Sequence, residues 1–259
     1  MRFYSCYAFD LDGTLYRGSE VVPGASEAVA ELERRGAKIL FVTNNSGLMR
    51  ADYVEKLRSF GFNAVEDQIV TSGLVAADYC KDQGYEKLFV VGEPGLVGML
   101  REKGLVVVNA DSQGQIGTRT EGAQAVVSGI CRDRLSYQML DAAMQVIVST
   151  GNYVACNKDL TYPVESGRFC PGSGAIVAAL EACSAIKAVM VGKPEPEILI
   201  SALDQLGMPA SETLMVGDRM DTDIACGKAA GADTCLVLTG VTQEAVQNQW
   251  CIDSVKDLV

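Results

Sequence analysis

The stretch Phe9-Asp10-Leu11-Asp12-Gly13-Thr14-Leu15 ends an apolar run with two carboxylates and a turn, and it decides the fold of the chain. The residues before it suit a buried strand, while Gly13 and Thr14 supply the backbone freedom and the hydroxyl that end that strand. Asp10 and Asp12 are therefore predicted at the C-terminal end of a strand, where ligands bind in an open α/β sheet. A plain strand followed by an Asx turn explains these residues alone equally well.

Composition narrows the chemistry that the chain can perform. It has 259 residues, 48% of them apolar, which suffices for one large domain or two ordinary ones. With 22 Lys and Arg against 33 Asp and Glu, the net charge of −11 argues against binding a nucleic-acid backbone. The absence of histidine excludes Ser-His-Asp and Cys-His catalysis, histidine-based phosphoryl transfer and the commonest zinc ligand. Any catalysis must therefore use carboxylates, lysine, hydroxyls or thiols.

Cysteine usage and hydropathy predict a cytoplasmic protein. The nine cysteines form no Cys-x-x-Cys pair, and we interpret them as buried thiols in a reducing compartment, with a reactive-cysteine enzyme as a weaker alternative. The longest uncharged stretch, residues 142–157, is interrupted by polar residues and is predicted as a helix followed by a strand. No membrane span or cleavable leader is predicted, and no membrane partner is expected.

Helical and strand-like patterns alternate along the chain and predict a parallel sheet covered on both faces. The order strand, polar turn and helix occurs near the N-terminal end and again near the C-terminal end. A strand predicted over residues 188–191 is assigned to the C-terminal occurrence. We therefore predict an α/β core formed by residues 1–72 and 183–259, with residues 73–182 inserted as a second α/β domain.

Four polar loops should meet at one edge of the predicted sheet, because all parallel strands end there. They are Asp10–Thr14, Thr43–Ser46, the loop of Lys193, and Asp218–Asp223. The aspartates would repel one another in a partly dry site, so a divalent cation is the natural compensation. Mg²⁺ fits oxygen ligands best, and neither histidine nor paired cysteine favours zinc.

The same loops carry a resemblance to a known family. They resemble the four motifs of the haloacid dehalogenase (HAD) superfamily, and most closely those of subfamily IIA, the NagD and p-nitrophenyl phosphatase group. The resemblance implies a Rossmann-like parallel-sheet core with an inserted α/β cap of the C2 type, and a Mg²⁺-dependent phosphomonoesterase. The segments that carry it are Asp10-Leu11-Asp12-Gly13-Thr14-Leu15-Tyr16, Thr43-Asn44-Asn45-Ser46, Gly192-Lys193-Pro194-Glu195-Pro196 and Gly217-Asp218-Arg219-Met220-Asp221-Thr222-Asp223-Ile224.

The resemblance also implies a role for each residue. Asp10 is the nucleophile that forms an aspartyl-phosphate, and Asp12 is the acid/base of both half-reactions. Phosphate oxygens are bound by hydroxyl, amide and ammonium donors, which are Thr43, Asn44, Asn45 and Lys193. The expected Mg²⁺ ligands are Asp10, the Asp12 carbonyl and Asp218, while Asp223 orients Asp218 or a metal-bound water and Asp221 lies outside the site.

The inserted domain leaves the substrate open. Its segment Tyr153–Pro163 resembles the cap strand and loop that lead to the active site, with Cys156 where the family more often has threonine. Asn157 and Asp159 are interpreted as structural. Sugar phosphates, nucleoside monophosphates, pyridoxal phosphate and phosphoglycolate are all implied substrates, and the cap is a candidate surface for a homodimer.

Other interpretations of the motifs compete with this one. Thr43 and Asn44 also suit a helix cap, Lys193 a solvated loop, and Asp218 with Asp223 an acidic helix start. A phosphomutase would use the same residues, and a signalling receiver also combines acids, a threonine and a lysine on an α/β sheet. Asp12 argues against the receiver because it supplies an acid/base. A non-catalytic binding protein is the remaining alternative.

Overall fold

A computed structural model describes residues 2–163 and 169–259 of the chain. Its strands are β1 (Cys6–Phe9), β2 (Tyr16–Arg17), β3 (Glu20–Val21), β4 (Lys38–Thr43), β5 (Ile69–Thr71), β6 (Lys87–Val91), β7 (Val106–Val107), β8 (Ala125–Ser128), β9 (Tyr153–Ala155), β10 (Thr161–Pro163), β11 (Phe169–Pro171), β12 (Val189–Met190), β13 (Thr213–Gly217), β14 (Asp233–Val237) and β15 (Cys251–Ile252). Its α-helices are α1 (Ala25–Arg34), α2 (Arg50–Ser59), α3 (Ser72–Asp82), α4 (Pro94–Glu102), α5 (Tyr137–Thr150), α6 (Ser173–Ser184), α7 (Glu197–Leu206) and α8 (Ala225–Ala229).

A six-stranded parallel sheet joins the two ends of the chain, and its unit is here named the core. The strand order is β15-β14-β13-β1-β4-β5. Strand β1 lies between β13 and β4 and all four of its residues are buried, as expected of a strand covered on both faces. The strands that precede the predicted nucleophile and the Asp218 loop are therefore direct neighbours.

A second parallel sheet, of five strands, belongs to the intervening segment, and its unit is here named the cap. The strand order is β12-β9-β8-β6-β7. Helix α3 contributes buried Ala76, Ala77 and Cys80 to the same apolar cluster as the β6 residues Leu88 and Phe89. The predicted fold class, two α/β units with one inserted in the other, is confirmed.

One strand belongs to a different sheet from the one predicted. The apolar run at residues 188–191 was assigned to the core, but β12 pairs with β9 of the cap through Val189 and Met190. A short apolar run shows that a strand forms without showing which sheet accepts it. The chain therefore returns to the core after β12, later than the predicted boundary at residue 183, and Lys193 follows a cap strand.

Core and cap meet where three glycines of the cap face one core loop. A Cβ on Gly95, in the first turn of α4, would collide with the backbone of Gly47 and Leu48. A Cβ on Gly129 would collide with the Ser46 hydroxyl, and one on Gly98 with the side chain of Met49. These glycines allow the cap to approach the loop after β4, which is one of the four predicted site loops.

Local signals explain where the cap helices begin and end. The Thr71 hydroxyl accepts a hydrogen bond from the Leu74 N–H at 3.2 Å and caps α3, and the Ser136 hydroxyl does the same for α5. Helix α5 ends at Gly151 with a φ of 76°, a conformation that favours glycine. Among the helices of residues 2–163 and 169–259, none combines the length and the apolarity needed to cross a bilayer.

Candidate active site

Asp10 lies directly after β1 and is held by residues from two other loops. Its main-chain N–H donates to the Val216 carbonyl at 2.8 Å, which continues the β1–β13 pairing to the end of the strand. Its carboxylate accepts from Lys193 Nζ at 2.6 Å and from the Thr14 hydroxyl at 3.2 Å. Gly13 turns the chain with a φ of 95°. Asp10 therefore lies at the carboxyl edge of the core sheet, as the sequence predicted.

Lys193 is buried in the site. Its ammonium donates to Asp10 Oδ1 at 2.6 Å, to Asp223 Oδ1 at 2.7 Å and to the Val42 carbonyl at 3.1 Å. The residue is 2% exposed, so the alternative of a solvated loop lysine is wrong. All three donors of the ammonium are used, which fixes both its position and its charge.

The Asn44 amide holds the main chain of Lys193 from both sides. Asn44 Oδ1 accepts from the Lys193 N–H at 2.8 Å, and Asn44 Nδ2 donates to the Lys193 carbonyl at 3.0 Å. The same Nδ2 lies 3.3 Å from the carboxylate of Asp159 in the cap. Because both polar atoms of this amide are engaged within the protein, the geometry favours a positioning role for Asn44 over the predicted contact with phosphate.

Cap residues hold the same loop through its backbone. Asn157 Nδ2 donates to the Asn44 carbonyl at 2.6 Å, and so does the Ser72 hydroxyl at 2.6 Å. Next in the loop, the Asn45 N–H donates to the Thr43 hydroxyl oxygen at 3.1 Å. The structural role predicted for Asn157 and Asp159 agrees with their contacts to Asn44, and both residues also line the cleft.

Asp218 and Asp223 approach Asp10 from the loop after β13. Asp223 is fully engaged, because Oδ1 accepts from Lys193 and Oδ2 accepts from the Arg219 N–H at 3.0 Å. Asp218 Oδ2 accepts from the Val241 N–H at 2.6 Å, but its buried Oδ1 has no hydrogen-bond partner in the described part of the chain. Asp221, predicted to lie outside the site, is exposed and forms an ion pair with Arg219 at 2.9 Å.

Burial and mutual repulsion perturb the ionisation of this cluster. Burial raises the pKa of Asp10 well above its ordinary value, opposed by Lys193 and reinforced by Asp223 and Asp218. Burial, followed by the charge of Asp223, raises the pKa of Asp218 to about 7. Burial lowers the pKa of Lys193, but the carboxylates of Asp10 and Asp223 outweigh it and raise that pKa overall. The site therefore holds more negative charge than its lysine neutralises.

The donor set fits a hard divalent cation. One carboxylate oxygen from each of Asp10, Asp218 and Asp223 lies within 4.8 Å of the others. A buried carboxylate oxygen without a partner, as in Asp218, is costly unless an ion or water satisfies it. A Cβ on Gly240 would collide with the Asp218 carboxylate, and a Cβ on Gly13 would lie 2.5 Å from its Oδ2, so glycine is required on both sides. Oxygen ligands of this kind suit Mg²⁺.

Asp12 faces the same cleft from a different environment. Burial raises its pKa, and the positive charges of Lys56, Lys193 and Arg132 oppose that shift. The charged groups that act on Asp12 therefore differ from those that act on Asp10, which are Lys193, Asp223 and Asp218. Two carboxylates with different surroundings are suited to different tasks in a proton-transfer reaction.

A cleft of about 510 Å³ collects these side chains between core and cap. All eight predicted site residues line this cleft: Asp10, Asp12, Thr43, Asn44, Asn45, Lys193, Asp218 and Asp223.

Sequence reasoning missed three cations of the cleft, Lys56, Arg132 and Arg219. Arg219 lies within the motif Gly217–Ile224, so its place beside Asp218 could have indicated that it lines the cleft. Lys56 lies in the ordinary helix α2 and Arg132 in the loop after β8, and neither stretch carries a pattern that distinguishes it from a solvated charge.

Comparisons with known proteins agree with this geometry. Residues 7–106 match a family model described as haloacid dehalogenase-like hydrolase, and residues 190–258 match one described as HAD-hydrolase-like. An acid sugar phosphatase of Staphylococcus aureus is 37% identical over 251 residues, which cover 96% of this chain and 92% of that protein. The chain belongs to the haloacid dehalogenase family.

Solved structures extend the HAD assignment to the whole fold. A p-nitrophenyl phosphatase from Archaeoglobus fulgidus is 33% identical and superposes with a TM-score of 0.87. The superposition covers 99% of this chain and 98% of that one. A glycerol phosphate phosphatase from Mycobacterium tuberculosis, in complex with magnesium, is 30% identical with a TM-score of 0.85, covering 98% and 77%. The predicted family, HAD subfamily IIA, is confirmed, and the chain is an enzyme of the HAD phosphatase class.

Proposed function

We propose that this HAD enzyme is a Mg²⁺-dependent phosphomonoesterase that acts on a small phosphorylated metabolite through an aspartyl-phosphate on Asp10. The observation that supports it most strongly is the contact of Asp10 with buried Lys193, beside an Asp218 oxygen that lacks a partner among residues 2–163 and 169–259. A carboxylate, a fixed cation and a place for a metal ion are the elements of phosphoryl transfer by positioning and charge neutralisation.

Asp10 and Asp12 divide the reaction between them. An Asp10 carboxylate oxygen attacks phosphorus as the bond from phosphorus to the leaving oxygen breaks, and Asp12 gives that oxygen its proton. Asp12 then takes a proton from water, whose oxygen attacks phosphorus and releases phosphate and the free Asp10 carboxylate. The raised pKa of Asp12 supports the acid role.

The phosphate oxygens are bound by donors that surround Asp10. Lys193 supplies charge next to Asp10 Oδ1, and the Thr43 hydroxyl and the Asn45 side chain line the cleft at the end of β4. Asn44 acts through Lys193, because its amide holds the main chain of that residue. Its truncation should therefore displace the ammonium.

The metal would be held by Asp10, the Asp12 carbonyl and Asp218. Bound Mg²⁺ supplies neutralisation of phosphate charge and orientation of the transferred group. Asp223 keeps the surrounding groups in place, because its two oxygens accept from Lys193 and from the Arg219 N–H.

Hydrolysis of p-nitrophenyl phosphate tests this proposal. The purified enzyme should release nitrophenol with Mg²⁺, and EDTA or Asp10→Asn should abolish the release. Asp221→Asn is the matched control, because Asp221 is exposed and outside the carboxylate cluster. Turnover without metal, or in Asp10→Asn, would overturn the mechanism. Release of inorganic phosphate, as opposed to an isomerised phosphate ester, separates hydrolysis from a phosphomutase.

Sugar phosphates are the substrate class that we propose first. The Staphylococcus aureus relative is named an acid sugar phosphatase, and the cleft of about 510 Å³ accommodates a small metabolite. A screen of sugar phosphates, nucleoside monophosphates, pyridoxal phosphate and phosphoglycolate would rank them by kcat/KM. A marked preference for a class other than sugar phosphates would contradict this assignment.

Location and assembly also remain proposals. A cytoplasmic location is supported by the nine cysteines, all of which are unpaired. A homodimer through the cap is supported by exposed apolar side chains at Leu160 and Phe169. Cell fractionation and light scattering would test the two proposals separately.

A further inference from the structure

Two cations from different units line the cleft. Lys56 comes from α2 of the core, and Arg132 from the loop after β8 of the cap. Apolar or aromatic side chains line the cleft with them, namely Leu48, Ile130 and Tyr162. The roles of Asp10, Asp12, Lys193 and the metal-binding acids require neither cation.

Lys56 is held by an aromatic ring. Its ammonium lies 3.9 Å from the centroid of the Tyr16 ring and 5.9 Å from that of Phe60. In residues 2–163 and 169–259, no carboxylate oxygen lies within 4.0 Å of this ammonium. The half-buried Lys56 therefore brings a positive charge to the cleft that it lines.

Arg132 is oriented by two cap residues. Its main-chain N–H donates to Glu93 Oε1 at 2.8 Å, and its side chain lies 3.7 Å from the same oxygen. Its Nε donates to the Tyr162 hydroxyl at 3.3 Å, and its guanidinium lies 5.5 Å from the centre of that ring. A guanidinium held at one edge keeps further N–H donors for a planar or tetrahedral anion.

Among the described residues, the other two cations of the cleft make shorter contacts with carboxylates than Lys56 or Arg132 does. Lys193 lies between Asp10 and Asp223, and Arg219 makes two hydrogen bonds to Asp221 at 3.1 and 2.9 Å. Lys56 and Arg132 both act on Asp12, and they also repel each other. Burial lowers the pKa of Lys56, Asp12 opposes that shift, and the charge of Arg132 adds to it. A further anion near both cations would offset their mutual repulsion.

We propose that this cleft binds a second anionic group of the substrate, a carboxylate or a further phosphate, through Lys56 and Arg132. The inference rests on the proposed phosphatase function and names the substrate class of that site. Such an anion would bridge core and cap, so its binding would also favour the arrangement in which the cap covers Asp10. A site built from charged donors discriminates strongly against an analogue that lacks the matching group.

Matched substrate pairs test this inference. Glycerol phosphate and phosphoglycerate differ by a hydroxymethyl against a carboxylate, and a hexose monophosphate and bisphosphate differ by a second phosphate. The wild-type enzyme should show at least a tenfold higher kcat/KM for the more anionic member of one pair. The pair that shows it identifies the group. Lys56→Met and Arg132→Met should each lower that preference about tenfold, a loss of about 1.4 kcal/mol, and Lys56→Arg should keep it.

Controls separate this inference from the proposed function. Arg134→Met removes an exposed charge from the same loop as Arg132 and should leave the preference unchanged. Failure to hydrolyse p-nitrophenyl phosphate with Mg²⁺ would contradict the proposed function itself. Hydrolysis of that compound with no preference in either pair, or with a preference that survives both substitutions to methionine in folded variants, would overturn the second-anion site alone.

Discussion

At the scale of single residues, the site depends on one buried cation and the amide that places it. Lys193 follows a cap strand, yet its ammonium lies among core carboxylates because Asn44 binds its main chain on both sides. Removal of one partner from a buried ion pair is strongly destabilising, because it leaves the other charge buried and uncompensated. Substitutions at Lys193 should therefore affect folding as well as activity.

Lys193→Met should lower both stability and turnover. Without the ammonium, Asp10 and Asp223 remain buried and unpaired, so we expect a loss of about 3–5 kcal/mol in the free energy of unfolding without metal. Turnover of p-nitrophenyl phosphate should fall by about 10²–10³. Urea unfolding and steady-state kinetics measure the two effects.

Lys187→Met is the control for this experiment, because the Lys187 side chain is 84% exposed and pairs with Glu181 on the surface. Its effect should stay within about 1 kcal/mol. Equal losses in the two variants would contradict the role of Lys193 as the central cation.

Asp12→Asn should separate metal binding from proton transfer. The substitution keeps the backbone carbonyl but removes the group that transfers the proton, so turnover should fall by about 10²–10⁴. The rise in melting temperature on addition of Mg²⁺ should remain as large as in the wild type. Normal turnover in this variant would contradict the assignment of Asp12 as the acid/base.

At the scale of secondary-structure elements, helix α4 sets how closely the cap approaches the core. Its residues Gly95 and Gly98 both face the loop after β4, but they meet different neighbours. A Cβ on Gly95 would meet backbone atoms of Gly47 and Leu48, which cannot move without shifting the loop. A Cβ on Gly98 would meet the flexible Met49 side chain, which has room to adopt another rotamer.

Gly95→Ala and Gly98→Ala should therefore differ although alanine favours the helix at both positions. Helix propensity contributes about 1 kcal/mol in favour of alanine, whereas overpacking costs about 1–3 kcal/mol. We expect Gly95→Ala to be destabilising, with a lower kcat/KM, and Gly98→Ala to be neutral or stabilising. Thermal unfolding and kinetics of both variants measure this, and equal behaviour would contradict the close contact at Gly95.

Glu181 of α6 joins two neighbouring segments of the cap. It accepts from Lys158 Nζ and Lys187 Nζ, both at 2.8 Å, and from the Ala188 N–H at 3.1 Å. Burial would raise its pKa, but these donors outweigh burial and lower the pKa from 4.5 to about 2. An acid with a lowered pKa in the folded state stabilises the fold above its unfolded pKa, and this contribution is lost as the pH falls.

Glu181→Gln should consequently destabilise the protein in a pH-dependent way. We expect a loss of about 1 kcal/mol near neutral pH, after allowance for solvent screening. The difference from wild type should narrow below about pH 4.5 and vanish near the folded pKa of about 2. Denaturant midpoints across this range measure it, with the exposed Glu102→Gln as control. A difference independent of pH would contradict the ionic role.

At the scale of the whole molecule, the core sheet ends in more carboxylate charge than it can neutralise alone. The buried ammonium of Lys193 contacts Asp10 and Asp223, and the Asp218 oxygen that has no partner in the described part of the chain adds a desolvation cost. The metal-free fold therefore carries an electrostatic penalty at its most central loops. A ligand that binds only the folded state would offset that penalty.

Mg²⁺ should accordingly raise the melting temperature of the enzyme. At one hundred times its dissociation constant the ion should contribute about 2.7 kcal/mol, and EDTA should reverse the effect. Asp218→Asn should abolish the shift, while the exposed Asp221→Asn should retain it. Differential scanning fluorimetry measures all three proteins, and a full shift in Asp218→Asn would contradict the proposed ligand set.

The sequence by itself determined the fold class, the family and the core of the site. Asp10 and Asp12 stand at the end of a buried run before a glycine turn, and parallel strands place their carboxyl ends at one edge. The order of the motifs is likewise local information. These signals depend on neighbouring residues and on the geometry common to all parallel sheets, so no knowledge of distant contacts was needed.

Only the tertiary structure decided which partners these residues have. It placed β12 in the cap sheet, and it joined Asn44 to Lys193 across 149 positions in sequence. It also brought Lys56 and Arg132 to the same cleft from separate units. Such contacts depend on how two folded units pack against each other, and a short apolar run or a lone cation looks the same in sequence wherever it packs.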